Sequence, residues 1–393
     1  MGCRIARTLT PMPRSSSKIS TLPSTVPLEI RRVEALPLAL PLAKPMQMAG
    51  ERLTHGETLV VRIEAANGVT GWGEAASAKQ MTGDTLDGMT DAVERTLAPL
   101  LMGQDATTRA ALVARCRNAL TQNRSAVAAI DMALLDLLGR HHGIPVSALL
   151  GGAQRSELQA LWLLGNKTCD ADVAEAVAKQ HEGFAFFKLK VGAKPVAEDI
   201  RTALEVRRAL GPGAKLCADA NMGLNFDQAR EFVTGARAAD LLFLEQPFGK
   251  RELAQSAELA RLGPCAIGAD EAIGSLQDIV ENHRAGAASG VSLKTIKLGG
   301  VAVTVRAGAV CEALGMAVNL AAKVAESSIG AAALLHIGSV LADTSWGVSP
   351  SNHFLAADVV KSRIAPRRGS YRPPQGPGLG IEVDVAELKR YRV

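Results

Sequence analysis

After Gly151-Gly152 the chain settles into one repeating pattern, and that pattern limits the fold more than any other feature. Short apolar runs at 158–164, 184–190, 215–220, 241–245, 265–269, 291–297 and 316–320 alternate with stretches of helical period. Each strand and its helix take about 25 residues. Strands joined through helices pair in parallel. Seven such units over roughly 220 residues predict a closed β/α barrel, with a doubly wound sheet as the alternative. An eighth strand is expected near 341–348, where the apolar signal is weak.

The part before this reads as α+β. Residues 58–65 predict a strand, Asn67-Gly68 a hairpin turn, and 69–74 the return strand. Helical periods follow at 86–102, 107–121 and 125–141, the last stopped by Gly143-Ile144-Pro145. Residues 1–28 hold Arg4, Arg7, Arg14 and Lys18 and no acid, so most of the net charge of +5 lies there. They are rich in Ser, Thr and Pro and lack an apolar stretch. That predicts a disordered or processed extension over 1–28, with a transit peptide as the alternative and no secretory signal. The expected organisation is then an α+β domain over 29–150, the barrel over 151–371 and a closing segment over 372–393. The closing segment is turn-rich and is read as ending in a short strand.

Several classes of function drop out. The body of the chain is nearly neutral without a basic stripe, and aromatics make up 3%, so nucleic acid is not an expected partner. No run of 18 apolar residues exists, so no membrane span is expected. The six cysteines are widely spaced without a C-x-x-C pair. That argues against a disulfide framework or a thiolate zinc site and suits a reducing, cytoplasmic setting.

The chemistry collects at the ends of consecutive strands. Lys188 and Lys190 close the second, Asp219 with Asn221 the third, Glu245 the fourth; Asp270-Glu271 follow the fifth, and Lys294 and Lys297 lie on the sixth. From Lys190 to Lys294 the steps are 29, 26, 25 and 24 residues, one βα unit each. These groups therefore share one end of the barrel, the C-terminal face where such barrels place active sites. Three converging carboxylates repel, and a hard divalent cation removes that cost. An oxygen-only set favours Mg²⁺, or Mn²⁺, over zinc. Lys188 and Lys190, at i and i+2, point to one side of a strand, and a lysine beside a cation and a second lysine has its pKa lowered into the range of a general base. Lys294 comes from the opposite side of the ring. Two bases facing each other suit removal of a proton α to a carboxylate, through an enediolate. Lys297, three positions from Lys294, is expected to face the other way and to be structural.

On these residues the chain resembles the enolase superfamily, in its muconate-lactonizing-enzyme subgroup. The matching segments are GWGEA at 71–75, AAIDMALLDLLGRHHGIPVSALLGG at 128–152, FKLKVG at 187–192, DAN at 219–221, EQP at 245–247, ADEA at 269–272, LKTIKLGG at 293–300, AESSIG at 325–330 and GPGLGIEVD at 376–384. The resemblance implies an α/β fold: a modified (β/α)₇β TIM-type barrel under an α+β capping domain built from the N-terminal part and the C-terminal tail. It implies Asp219, Glu245 and Asp270 as Mg²⁺ ligands and Lys190 and Lys294 as the opposed acid/base pair. Lys188 would tune Lys190 and touch the substrate carboxylate. Asn221 and Glu271 would support the ligands, and Glu326 would help hold the substrate. It also implies a homo-oligomer acting on a small carboxylate.

The resemblance leaves the substrate open. Two loops, 44–55 and 75–85, are expected to close over the mouth. Arg52 or Lys79 would bind a distal carboxylate if not simply solvated, and Met46 and Met48 would pack on the substrate or fill gaps. Dipeptide epimerases of the subgroup carry Asp-x-Asp at the end of the eighth strand, where this chain has Val348-Ser349-Pro350. Ser349, Ser351, Asn352 and His353 are candidates to face substrate, and Lys323 adds a cation or pairs with Glu326. The expectation is a muconate-type cycloisomerase. The alternatives are a racemase or epimerase of an amino-acid derivative, a dehydratase of a hydroxy acid, and a non-catalytic barrel.

Overall fold

The computed structural model describes residues 28–48, 51–166, 168–324 and 326–393. The extension expected over 1–28 lies outside the described residues, apart from Leu28, which is already buried.

Three long strands open the chain: β1 (Ile30–Met48), β2 (Glu51–Ala65) and β3 (Thr70–Ala76), an antiparallel sheet in that order. The expected turn is present. Gly68 sits at φ +82 and Asn67 Oδ1 accepts from the Val69 amide at 3.1 Å. Sequence reading missed β1, because Pro37, Pro41 and Pro45 look like breakers. Yet Leu36, Leu38, Leu40 and Leu42 alternate along it and are all buried, the period of a half-covered strand. The expected loop over 44–55 is corrected in the same way: β1 and β2 stay paired through Met46–Leu53 and Met48–Glu51. Side chains of Met48 and Arg52 lie outside the described residues.

The sheet packs on the helix Arg124–His142, whose middle is buried throughout. Gly71 and Gly73 of β3 make that contact possible. A Cβ on Gly73 would lie 1.9 Å from the Ala129 carbonyl oxygen, and one on Gly71 2.1 Å from that of Ala133. Only glycine allows so close an approach of strand to helix.

The strand expected over 158–164 divides. β4 (Leu158–Gln159) turns away, and β5 (Trp162–Leu164) starts the barrel. There follow β6 (Phe186–Lys190), β7 (Lys215–Asp219), β8 (Leu241–Glu245), β9 (Ala266–Ala269), β10 (Gly290–Leu293), β11 (Ala317–Ala321) and β12 (Val348–Ser349). All pair in parallel with their neighbours in chain order, an eight-stranded sheet. A parallel bridge from Ala160 to Val348 and the bond from the Leu161 amide to the Val348 carbonyl at 3.0 Å bring the last strand back to the first. The eighth strand is only two residues long, which explains its weak sequence signal. β4 pairs instead with β13 (Ser370–Tyr371).

Inside the ring, Leu161, Phe186, Cys217, Phe243 and Trp346 form a separate apolar cluster. Phe243 and Trp346 stack with centroids 3.9 Å apart. The Lys188 ammonium lies 5.7 Å from the Phe243 ring, so this plug floors the charged layer. The closing segment bears no strand of the kind expected. Val383 makes one bridge to Val360, and a helix, Val385–Arg390, follows. Beyond it the chain lies along the free side of β1: the Ala39 amide donates to Tyr391 at 3.0 Å and the Val393 amide to Pro37 at 3.1 Å.

Candidate active site

The parallel order delivers the charged residues to one face. Lys190, Asp219 and Glu245 are the last residues of β6, β7 and β8, and Asp270 and Lys294 stand one residue past β9 and β10. In an eight-stranded ring β6 and β10 are opposite, so Lys190 and Lys294 approach from opposite sides. Both line one cavity of about 90 Å³ with Lys188, Asp219, Asn221, Glu245, Asp270 and Lys323. A wider cavity of about 390 Å³ lies outside it, between cap and barrel. Its walls include Leu53–Glu57 and Ser77–Met81 of the cap and Asn221, Glu271 and Lys323 of the barrel. Lys79 reaches it but is paired with Glu57 at 3.3 Å.

Each carboxylate is paired. Lys188 bonds Glu245, Lys190 bonds Asp219 at 2.6 Å, and Lys294 bonds Asp270. Asn221 accepts from Lys190 and donates to Glu271 at 3.0 Å. Burial works against every one of these charges, and the partners decide the outcome. Asp219 is held below the ordinary carboxylate range because Lys190 and Lys188 outweigh burial. Asp270 is held low in the same way by Lys294 and Lys297. Glu245 goes up: burial, with Asp219 and Asp270 nearby, outweighs Lys188. Burial and the same two aspartates push Glu271 up to about 7.

Lys188 and Lys294 are raised above the ordinary lysine range. Burial disfavours their charge, but Glu245 and Asp219 hold Lys188 up, and Asp270 and Glu271 hold Lys294 up. The lowered lysine is Lys297, whose burial outweighs Asp270. The expectation that Lys297 faces away is corrected by the geometry. The chain leaves β10 at Leu293 and enters a short helix, Thr295–Leu298, so the period changes between Lys294 and Lys297. Three helical positions bring Lys297 back to the same carboxylate, where its ammonium meets Asp270 and also the Ser292 carbonyl at 2.9 Å.

Sequence reading passed over several supporting groups. Ser292 donates to Glu245. Asn319 accepts from Ser292 at 3.0 Å and is fixed by the Trp346 and Gly347 carbonyls, each at 3.0 Å. The Gln246 carboxamide oxygen receives the amides of Asp270, at 2.9 Å, and Ala272, at 3.1 Å. Buried polar residues inside otherwise apolar strands, as in GVSL and AVNLA, were the available signal. Asn221, Met222 and Gln246 all sit at positive φ around the mouth, local strain of a kind that collects at functional sites.

Glu326 stands at the edge of the site, where Lys323 and Lys294 act on it. It is buried beside Glu74 rather than lining either cavity, and a Cβ on Gly330 would touch both carboxylates. Burial, then Glu74, push its pKa up to about 8. Glu74, from β3 of the cap, accepts from Thr58, the Ser327 amide and hydroxyl, and the Gly330 amide, at 2.6–2.9 Å. It thus caps the helix Ser328–Val340 and ties the cap to the barrel rim.

The donor chemistry fits a hard divalent cation. The donors are oxygen only, on three successive strand ends, and Glu271 Oε2 beside them is buried without a hydrogen-bond partner. The carboxylates turn toward the lysines, and among the described residues no three acid, His or Cys groups stand together as a metal cage. No helix among the described residues is long and apolar enough to cross a membrane.

Comparison with known proteins agrees with this geometry. Residues 30–151 match the profile of the mandelate racemase / muconate lactonizing enzyme N-terminal domain, and 171–388 that of the enolase C-terminal domain-like family. Muconate cycloisomerase 1 of Rhodococcus opacus is 31% identical over 371 residues, covering 93% of this chain and 98% of that protein. The L-Ala-D/L-Glu epimerase of Bacillus subtilis (strain 168) is 29% identical over 367 residues, covering 92% and 99%. The crystal structure of a muconate lactonizing enzyme from Pseudomonas fluorescens with muconolactone superposes with a TM-score of 0.90 at 29% identity, covering 93% of this chain and all of that one.

Proposed function

Because the chain belongs to the mandelate racemase / muconate lactonizing enzyme family and is an isomerase of the enolase superfamily, we propose that it removes the proton α to a substrate carboxylate in a muconate-type cycloisomerisation. One observation carries this reading: two lysine ammonium groups, Lys190 and Lys294, enter one cavity from opposite strands with three carboxylates between them.

Either lysine, with its proton released, takes the α-proton at Nζ, and the electron pair left behind spreads into the carboxylate as an enediolate. In a lactone the pair then expels the ring carboxylate from the β-carbon. In reverse, the free carboxylate adds to the double bond and a lysine returns the proton. Lys188 adds positive charge where the substrate carboxylate comes to rest. The apolar floor at Phe243 and the cap above keep bulk water away, which strengthens each of these interactions. Enzymes of this type are divalent-metal dependent in general. Mg²⁺ or Mn²⁺ held by Asp219, Glu245 and Asp270 would neutralise the charge that builds on the substrate carboxylate.

A second reading, epimerisation of an amino-acid derivative, is favoured by the epimerase relative and by the symmetry of the lysine pair. Solvent-deuterium exchange read by mass, with Mg²⁺, separates the two. Muconate lactones, N-acyl amino acids, dipeptides and proline derivatives form the panel. Exchange on the lactone that EDTA abolishes supports the first reading, and exchange on an amino-acid derivative supports the second. No exchange on any of them refutes both.

A further inference from the structure

The two lysines that meet in the inner cavity are held from different places. Lys294 opens the short helix Thr295–Leu298. The far end of that helix is gripped by the cap: Arg117 donates to the Gly299 carbonyl at 3.2 Å, and Asp131 accepts the Ala302 amide at 3.1 Å. Lys190 ends β6 and is the more exposed of the two, at 28% of its side chain against 9% for Lys294. The turn that follows it, 191–195, is pinned at three points inside the barrel. The Val191 amide donates to the Asp219 carbonyl at 3.0 Å, the Gly192 amide to the Asp199 carboxylate at 2.8 Å, and Lys194 pairs with Asp172 at 3.9 Å.

Of these three, the Asp199 bond is the one with a buried charge that proton transfer leaves unused. Asp199 stands in the first turn of the helix Val196–Leu210. An acid there ordinarily serves its own helix, whose first amides are free and whose dipole favours negative charge. Asp199 instead reaches back seven residues to Gly192, and it is buried. Burial pushes its pKa up to about 6, against the Gly192 bond and Lys194. It is therefore a carboxylate at neutral pH, and a carboxylate holds an amide more strongly than a neutral acceptor does. Gly192 itself stands at φ +88, and a Cβ there would lie 3.3 Å from the Gly223 carbonyl carbon. A left-handed residue wedged against the neighbouring turn keeps its place only when something fixes it.

We infer that Asp199 is a positioning residue for Lys190: through the Gly192 amide it fixes the turn behind the lysine, and with it the direction from which the ammonium enters the cavity. The inference rests on the proton-abstraction reading above and adds that the two bases are placed independently, so that one is disabled without the other. Lys190 is two residues from the pinned amide, whereas Lys294 hangs from the cap. A displacement of about 1 Å at a catalytic group costs up to roughly a hundredfold in rate. Loss of the Asp199 carboxylate therefore strikes one face of the substrate and spares the other.

The test uses the full chain with Mg²⁺ and two readouts. The first needs no substrate: trace acetic anhydride labels the lysines, and mass mapping gives the rate at each. Asp199→Ala is expected to change the rate at Lys190 at least threefold and to leave Lys294 and the exposed Lys250 as in the parent. Asp199→Asn, whose carboxamide oxygen still accepts from Gly192, restores the parent rate. Gly192→Ala strains the same turn from its other end and is the second variant should Asp199→Ala not fold; it is expected to act on Lys190 in the same way. The second readout is deuterium exchange on the probe that the parent exchanges, with Lys190→Ala and Lys294→Ala assigning each α-proton to its lysine. Asp199→Ala is expected to lower kcat for the Lys190 proton at least tenfold with KM within threefold, and to leave the Lys294 proton within twofold. Unchanged labelling of Lys190 overturns the inference, and so does equal slowing on both faces, the mark of a merely structural role. If exchange fails on every probe while Lys190 alone changes its labelling, the proposed reaction falls and the positioning role stands. If exchange runs through Lys190 and Asp199→Ala leaves it untouched, the positioning role falls and the reaction stands.

Discussion

Gly73→Ala should be among the most damaging single-methyl changes in this protein. The new Cβ would lie 1.9 Å from the Ala129 carbonyl oxygen, 2.6 Å from the Ala133 nitrogen and 2.9 Å from the Ala129 carbonyl carbon. All three are backbone atoms of the buried helix Arg124–His142, so no side chain can swing aside. An ordinary contact is 3.4–4 Å, so strand and helix must part by more than an ångström. A gap of 0.5–1 Å already forfeits a quarter to a half of each dispersion contact. Ordinary overpacking costs about 1–3 kcal/mol, and a forced backbone shift along this interface should cost about 4 kcal/mol. Gly213→Ala is the control: nothing lies within 4 Å of its Cβ and its φ is not positive, so it should be neutral or stabilising by up to about 1 kcal/mol. Urea denaturation followed by tryptophan fluorescence measures both, with Trp72 on the same strand as a local reporter. The displaced strand also carries Glu74 away from Ser327 and Gly330, so kcat/KM should fall at temperatures where the variant remains folded. A Gly73→Ala protein within 0.5 kcal/mol of the parent would refute the argument that this close approach is what requires glycine.

Lys190→Ala and Lys294→Ala should each lose at least a hundredfold in turnover. In a cycloisomerase one of them keeps α-deuterium exchange on the lactone, while in an epimerase each blocks one enantiomer; mass and chiral analysis of the product read this out. Glu326, protonated up to about pH 8 in the folded chain against about 4.5 unfolded, contributes stability that is fully present below pH 4.5 and lost as pH rises through 8. The urea midpoint should therefore fall between pH 5 and 8.5, and Glu326→Gln should flatten that slope; an unchanged slope contradicts the assignment. Lys297→Met leaves the Asp270 and Ser292 carbonyls without that donor and the Asp270 carboxylate with Lys294 alone, and should cost about 3 kcal/mol. Guanidinium titration checks this, and a loss under 1 kcal/mol would show that Lys297 holds nothing.

The sequence displayed the barrel because each of its strands is short, apolar and followed by a helix, and the site because its charges interrupt that pattern at strand ends. Where either condition failed, the reading failed. β1 carries a clear alternation of leucines, but prolines at an edge strand cost no ladder bond there and so mislead. Lys297 was misplaced because β10 stops at Leu293, and a switch from period 2 to period 3.6 within five residues leaves no mark in composition. The role of Glu326 depends on Glu74, 252 positions earlier in the chain, a pairing that no local pattern announces. Lysine proton affinities could not be read at all, since they follow from which carboxylate each ammonium touches.

The strip of chain beyond the last helix, lying against β1, bears on how this protein is made. β1 is 19 residues long and sits at the border of its sheet, and along residues 37–41 its covering bonds come from Ala356, Tyr391 and Val393. During synthesis the ribosome must add roughly 340 further residues, at about 5–20 per second, before that cover exists. For tens of seconds a nascent chain presents an unshielded strand border, the kind of surface that recruits other chains. Expression of the first 150 residues alone should therefore yield aggregates, and early engagement by a chaperone is the natural remedy.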